Sequence, residues 1–135
     1  MSTNEAHLLM AHAVHIVVPL VPPTVNHYVK HTRNGRHYVT KEAKAFKSAV
    51  ALLARQQRAC VEAEKYEVEA HIYLGAKQKG DVDNFAKVIL DALAEAGVCT
   101  GTRGVGSDAR ITDLILRKRR DRKAPRTEIT VRPLG

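Results

Sequence analysis

Hydrophobic and polar residues alternate along positions 66–74, and this period of two predicts a β-strand with one buried face. The apolar face of that strand consists of Tyr66, Val68, Ala70, Ile72 and Leu74. The opposite face consists of Glu67, Glu69, His71 and Tyr73. Shorter β-rich stretches predict three further strands, one just before Pro19 and two near the end of the sequence at residues 111–119 and 127–132.

Two other stretches carry apolar residues at helical spacing. The first predicts a helix over residues 41–58 with Thr40 as its N-cap. Its buried stripe is expected to consist of Ala43, Phe46, Val50 and Leu53. The second predicts a helix over residues 84–96 that ends at Gly97 and carries Leu93 on its flank. Its inward residues are expected to be Phe85, Val88, Ile89, Ala92 and Ala96.

The order of these elements indicates the fold class. Residues 21–29 contain two prolines and are expected to form an extended loop. Asn34 and Gly35 then predict a tight hairpin. The order β-α-β-α-β-β indicates an α+β fold, a single domain in which two helices pack on one mixed sheet. We expect residues 1–12 to be a flexible leader and residues 13–135 to form the domain.

Composition narrows the class of protein. With 135 residues, 44% of them hydrophobic and 27% charged, the chain is typical of one globular domain. Aromatic residues make up only 4% and Trp is absent, which argues against a binding surface built on stacking. No apolar stretch is long enough to span a bilayer and no signal peptide is recognisable. Because Cys60 and Cys99 have no disulfide or metal-binding spacing, we expect a cytoplasmic protein without a membrane partner.

The charge favours a nucleic-acid partner. The formal net charge is +8, and Lys and Arg supply most of the affinity for phosphate. Seven of the ten residues from 117 to 126 are basic, and we expect this run at the turn that joins the last two strands. A solvated surface loop is the alternative for so charged a segment. The cations assigned to DNA contact are Lys30, Arg33 and Arg36 around the hairpin, and Arg117, Lys118, Arg119, Arg120, Arg122 and Lys123 in the run.

Two carboxylates precede the second helix. Asp83 stands where an N-cap belongs, and a negative charge there would suit the positive end of the helix dipole. A helix cap needs only one side-chain oxygen, so capping by Asp83 does not explain why Asp81 is also acidic. Two carboxylates with this spacing can project to the same side of an extended or turn segment, which suits a hard divalent cation such as Mg²⁺. The pair is therefore either a helix cap or part of a metal site.

Lys87 shares a helix face with Asp83 and Asp91, each four residues away. It either forms an ion pair with one of these acids or places its ammonium where it can counter charge on a phosphoryl group. A third metal-binding acid should come from elsewhere in the chain. The candidates are Asp108, which follows a Gly-rich loop, and Asp113 in the next strand. The seven histidines are scattered and do not predict a zinc site.

Four segments resemble one known family: PLVPPTVNHYV after the first strand, GRHYVTKEAKAF into the first helix, GDVDNFAKVILDAL, and SDARI. The similarity extends over residues 14–132, and D-x-D-N-x-x-K followed by I-L-D-A-L is its most specific part. On these motifs the chain resembles the RusA-type Holliday-junction resolvases, which are small DNA endonucleases of bacteria and their phages.

The resemblance implies a metal-dependent endodeoxyribonuclease that acts in DNA recombination and repair. Members of this family are homodimers that bind four-way DNA junctions and cut two strands symmetrically, using Mg²⁺ or Mn²⁺. The resemblance also implies that the catalytic and metal-binding acids are Asp81, Asp83 and Asp108, and that the essential lysine is Lys87. Two alternatives stay open: a nuclease acting on another branched or single-stranded DNA, and a non-catalytic nucleic-acid-binding protein.

Overall fold

A computed structural model describes residues 13–31, 33–35, 37–100 and 108–134, with the backbone alone at Thr100 and Asp108. The expected leader, most of the Gly-rich loop and Arg36 lie outside the described residues. The strands are β1 Val14–Val18, β2 Val29–His31, β3 His37–Val39, β4 Val61–Glu62, β5 Lys65–Leu74, β6 Cys99–Thr100, β7 Ile111–Arg120 and β8 Arg126–Leu134. The α-helices are α1 Lys41–Gln57 and α2 Ala86–Glu95, and 3-10 turns span Val25–His27, Val82–Phe85 and Asp108–Arg110.

The main sheet has four strands in the order β1-β8-β5-β7. Strand β5 pairs in parallel with β7, whereas β8 is antiparallel to both β5 and β1. The sheet is therefore mixed, and the predicted α+β class with two helices is confirmed. The short pairs β2–β3 and β4–β6 lie outside this sheet.

The core lies between one face of the main sheet and the two helices, which pack against each other. All five residues of the predicted apolar face of β5 are buried, because a strand with one covered face needs a period of two. In α1 the residues Ala43, Phe46 and Val50 are buried as expected, whereas Leu53 is only partly buried and Ala54 is buried instead. Thr40 accepts the capping bond from the amide of Ala43 at 3.4 Å. No helix in the described part of the chain is long and apolar enough to cross a membrane.

The buried surface of α2 is wider than its periodicity predicts. Leu93, expected on the flank, is fully buried together with Ile89 and Ala92. The physical reason is that α2 packs against α1 as well as belonging to the core beneath the sheet. Ala96, expected inward, is only half-buried because the helix ends at Glu95. Gly97 follows with φ +74°, the left-handed conformation expected where a helix stops.

The basic run lies at the connection between the last two strands, as expected. Residues 117–120 belong to β7, which ends one residue after the predicted strand, and residues 121–125 form the turn. Strands β7 and β8 are not paired with each other, however, because β5 lies between them. Strand β7 is an edge strand, and charged side chains are common there since they discourage pairing with another chain. The Asn34–Gly35 hairpin is confirmed: β2 pairs with β3, and Gly35 has φ +75°.

Candidate active site

The two predicted carboxylates lie on the segment that connects β5 to α2. After β5 ends at Leu74, a loop leads to Asp81, which has extended backbone angles, and the 3-10 turn Val82–Phe85 begins there. The carbonyl of Asp81 accepts a hydrogen bond from the amide of Asn84 at 3.0 Å. The position before α2 is occupied by Phe85, and no side chain caps this helix. The helix-cap interpretation of Asp83 is therefore wrong, because an extra 3-10 turn separates it from α2.

Both carboxylates are exposed. Within the part of the chain that the structure describes, neither Asp81 nor Asp83 has a side-chain hydrogen bond or an ion pair. Two acids near each other without capping or pairing partners retain all their oxygens for an external ligand. Among the described residues no group of three or more His, Cys, Asp or Glu is placed to hold a metal ion.

The backbone before Asp81 is packed tightly. Gly80 has φ +151°, and a Cβ at this position would lie 2.7 Å from Phe85 Cζ and 2.7 Å from Thr24 Cγ2. Phe85 is buried, so its ring has little room to move. Only glycine fits between this ring and Thr24, which belongs to the loop of residues 21–29, called the proline-rich loop below. The packing places the peptide that leads into Asp81 against the core.

Two cations of β7 bind the loop of residues 75–80, which leads from β5 to Asp81. Lys118 Nζ donates a hydrogen bond to the carbonyl of Gly80 at 2.8 Å. The guanidinium of Arg120 donates to the carbonyls of Gly75, Ala76 and Gln78, the last two at 3.3 and 3.4 Å. Both residues were predicted from sequence to contact DNA. Their bonds to the loop could not be predicted from the pattern of residues.

Lys87 forms an ion pair with Asp91 at 3.0 Å, as one of the two interpretations of its spacing required. The other oxygen of Asp91 accepts a hydrogen bond from the hydroxyl of Tyr28 at 2.7 Å. Burial, opposed in part by Lys47 and reinforced by Asp91, raises the pKa of Tyr28 above its ordinary value, so its hydroxyl remains the donor. This connection between the proline-rich loop and α2 was missed in the sequence, because the two residues are 63 positions apart.

The side chain of Lys87 is 58% exposed and that of Asp91 is 22% exposed. A surface pair of this kind contributes little to stability, so stability alone does not explain it. Both residues line a cleft of about 550 Å³. The other residues that line it are Val25, Asn26, Tyr28, Val29, His31 and Val39.

The two candidates for the third acid lie in different places. Asp108 opens the 3-10 turn directly before β7, and this turn contacts α2. Asp113 lies within β7 beside Glu67 of β5, on the face of the sheet away from the helices. It is exposed and accepts a hydrogen bond from Thr112 at 2.7 Å. The backbone thus brings Asp108, and not Asp113, to the side of the sheet on which α2 lies.

The remaining predicted cations are divided between three places. Arg117 and Arg119 of β7 lie beside His71 and Tyr73 on the open face of the sheet, and both are exposed. Exposed Lys30 and Arg33 lie at the β2–β3 hairpin, and Arg122 and Lys123 lie in the turn before β8.

The turn before β8 is organised by Asp121, which accepts bonds from the amides of Lys123 and Ala124 and pairs with Arg126 at 2.8 Å. These bonds, that of Arg126 first, hold the pKa of Asp121 below its usual range.

This small α+β domain has two exposed carboxylates with no side-chain partner among the described residues, and β7, next to β5, carries cations. These are features of a nucleic-acid hydrolase. The family model for endodeoxyribonuclease RusA matches residues 19–132, which include β5, β7 and all but the last two residues of β8. The chain therefore belongs to the RusA endodeoxyribonuclease family, and the resemblance seen in its motifs is confirmed.

Several relatives carry the name crossover junction endodeoxyribonuclease RusA. The protein of Enterobacteria phage 82 is 28% identical over 122 residues, which cover 90% of this chain and 95% of the relative. That of Escherichia coli strain K12 is 28% identical over 115 residues, covering 84% of this chain and 90% of the relative. That of Shigella sonnei strain Ss046 is 26% identical over 115 residues with the same coverage. Their names state that these relatives cut DNA at crossover junctions.

Proposed function

We propose that this protein is a divalent-metal-dependent endodeoxyribonuclease that resolves four-way DNA junctions, acting as a homodimer. The observation that carries the proposal is the family match across residues 19–132, together with carboxylates at Asp81 and Asp83 that have no structural partner in the described chain. The names of the relatives supply the substrate.

The chemistry of the donors fits Mg²⁺, or Mn²⁺ in its place. Asp81 and Asp83 offer exposed carboxylate oxygens, and Mg²⁺ commonly takes one or two carboxylates and completes its shell with water and phosphate. We propose Asp108 as the third acid, since it stands on the turn that contacts α2. A bound ion would supply an activated water and neutralise charge on the phosphate. The three acids would hold and orient it.

Lys87 would act on the phosphate itself. Its exposed side chain lies in the first turn of α2, directly after the 3-10 turn that carries Asp83, and its pair with Asp91 fixes the face of α2 on which it lies. Asp91 is fixed in turn by the buried Tyr28. An ammonium placed in advance can stabilise the negative charge that develops on the phosphoryl oxygens as the bond to the leaving oxygen breaks.

The cations would position the DNA without reading its sequence. Phosphate contacts fix register and orientation, and junction shape would then determine which DNA is bound. Arg117 and Arg119, the hairpin cations Lys30, Arg33 and Arg36, and the turn cations Arg122 and Lys123 are the proposed contacts. A two-fold homodimer would present the same surface to two equivalent strands, which suits a symmetric cut.

The test is cleavage of a labelled four-way junction in the presence of Mg²⁺, with linear duplexes of the same arms as the control substrate. We expect Asp81→Asn and Asp83→Asn each to abolish cleavage and to leave junction binding unchanged or tighter, because a metal ligand is lost and repulsion of DNA is reduced. Thermal melting of each variant shows that it is folded. Retained cleavage in Asp81→Asn would exclude the metal site. Binding without cleavage by the unsubstituted protein would instead favour a non-catalytic binder.

A further inference from the structure

We infer that Lys118 and Arg120 are positioning residues that fix the loop presenting Asp81, an inference that rests on the proposed nuclease function. The loop of residues 75–80 joins the end of β5 to the acid pair. Both side chains bind backbone carbonyls of that loop. Their effect on the reaction is therefore exerted through the direction of Asp81.

The alternation of β7 separates these two cations from the other two in the strand. Lys118 and Arg120 lie beside Ile72 and Leu74, on the side of β5 that faces the core. Arg117 and Arg119 lie beside residues of the open face. Successive side chains of a strand point to opposite faces, so one basic run supplies two surfaces. The loop lies over one of them.

Arg120 holds the first part of the loop. Its guanidinium donates to three carbonyls, those of Gly75, Ala76 and Gln78. Gln78 closes the same turn, because its Oε1 accepts a bond from the amide of Gly75 at 2.7 Å. A guanidinium presents several N–H groups in a rigid fork, which a lysine ammonium does not. Arg120 is therefore suited to organising several carbonyls at once.

Lys118 holds the last part, at the peptide that matters most for Asp81. The carbonyl of Gly80 and the amide of Asp81 share one planar peptide unit, so a bond to that carbonyl fixes the plane from which Asp81 extends. On the other side, Phe85 and Thr24 leave no room beside Gly80. The backbone is thus held by a charged donor and by packing at the residue before the carboxylate.

Four variants separate a positioning role from DNA contact. Lys118→Met removes the donor, and Lys118→Arg restores one. Arg120→Lys keeps the positive charge and loses the fork, while Arg117→Lys makes the same replacement on the open face. Amide hydrogen exchange in residues 75–80 reports on the loop, and single-turnover cleavage is compared with junction affinity measured without divalent ion.

We expect the amide hydrogens of residues 75–80 to exchange about tenfold faster in Lys118→Met and in Arg120→Lys, since each variant loses at least one charge-assisted bond to the loop. Their cleavage rates at saturating protein should fall about 10- to 100-fold, because a small displacement of a catalytic group is costly. The affinity of Arg120→Lys should be unchanged, Lys118→Arg should recover the rate, and Arg117→Lys should leave loop exchange as it was.

Unchanged loop exchange in both variants would overturn the inference, as would a loss of junction affinity with an unchanged rate at saturation. The latter outcome would assign these residues to DNA contact. If the unsubstituted protein cut no branched DNA, the proposed function would fall. Hydrogen exchange would still decide whether Lys118 and Arg120 hold the loop, so the two failures are distinguishable.

Discussion

Replacing Gly80 with alanine should destabilise the protein through one added methyl group. The new Cβ would lie 2.7 Å from Phe85 Cζ, 2.7 Å from Thr24 Cγ2 and 3.1 Å from Phe85 Cε2. Real Cβ atoms do not approach other atoms so closely, so a neighbour must move. The ring of Phe85 is 1% exposed and cannot turn outward, whereas the partly buried Thr24 can yield somewhat.

The size of the effect follows from two costs. Forcing an extra methyl group into a packed site costs about 1–3 kcal/mol, and a backbone angle that is unfavourable for alanine costs about 1–3 kcal/mol more. Gly97 has φ +74°, and a methyl group added to it would meet no other atom within 4 Å. Gly97→Ala should therefore show the cost of a left-handed backbone angle alone. Because φ +151° at Gly80 is no more accessible to alanine, Gly80→Ala should be the less stable variant by at least the packing cost of about 1–3 kcal/mol, which corresponds to roughly 4–12 °C in Tm for a domain of this size.

The assay is thermal unfolding of Gly80→Ala, Gly97→Ala and the double variant Thr24→Ser with Gly80→Ala. Serine lacks the methyl group of Thr24, so the double variant loses one of the two closest contacts and should recover part of the difference. Equal melting temperatures for Gly80→Ala and Gly97→Ala would refute the reasoning. In that case the proline-rich loop would move away from Phe85 at little cost, and the packing would not direct Asp81.

Three further predictions concern acids and cations of β5, β7 and the turn before β7. Asp108→Asn should abolish junction cleavage and Asp113→Asn should not, because only Asp108 lies on the turn that contacts α2; the reverse result would reassign the third acid. Replacing Arg117 and Arg119 with Gln should reduce the slope of log affinity against log salt by about one unit per lost phosphate contact, and an unchanged slope would place the DNA elsewhere. Bonds from His71 and then Arg132 hold the pKa of Glu69 below its ordinary 4.5. The stabilising effect of this carboxylate is thus complete above that value and is lost as the pH falls through the lowered pKa of the folded state, so Glu69→Gln should lower Tm at pH 7 and should lower it progressively less as the pH falls below 4.5.

The parts of the fold that could be predicted from sequence are those governed by local periodicity. The alternation in residues 66–74 gave the buried face of β5, and the spacing of Ala43, Phe46 and Val50 gave that of α1. Such patterns arise because one covered face imposes its own period on the residues. Gly35 and Gly97 marked a turn and a helix end for an equally local reason, since both adopt positive φ.

Strand order had no comparable signal. Residues 111–134 contain two strands joined by a short turn, a pattern typical of a hairpin, yet β5 lies between them. The order of the strands depends on how their apolar faces pack against the two helices, and these contacts join residues that are distant in sequence. The same limit explains why the bond between Tyr28 and Asp91 was missed and why Asp83 was considered as a cap. A spacing of residues shows that a cap is compatible with the sequence, not that the helix begins there.

Asp81 and Asp83 could be predicted as a site from sequence, because a helix cap accounts for only one of two neighbouring carboxylates. Which cations of the basic run lie on which face could be seen only from the pairing of β7 in the sheet. As a stretch of letters, residues 117–120 are four adjacent cations that repel one another. In β7 their side chains alternate between two faces, and this distributes the charge. On one face Lys118 and Arg120 are offset by four loop carbonyls, whose partial negative charges they bind. On the other face Arg119 donates to the carbonyl of Lys118, and Arg117 has no bond to the described chain. The two cations of this run that do not bind the loop therefore lie on the open face, where a polyanionic backbone would neutralise them.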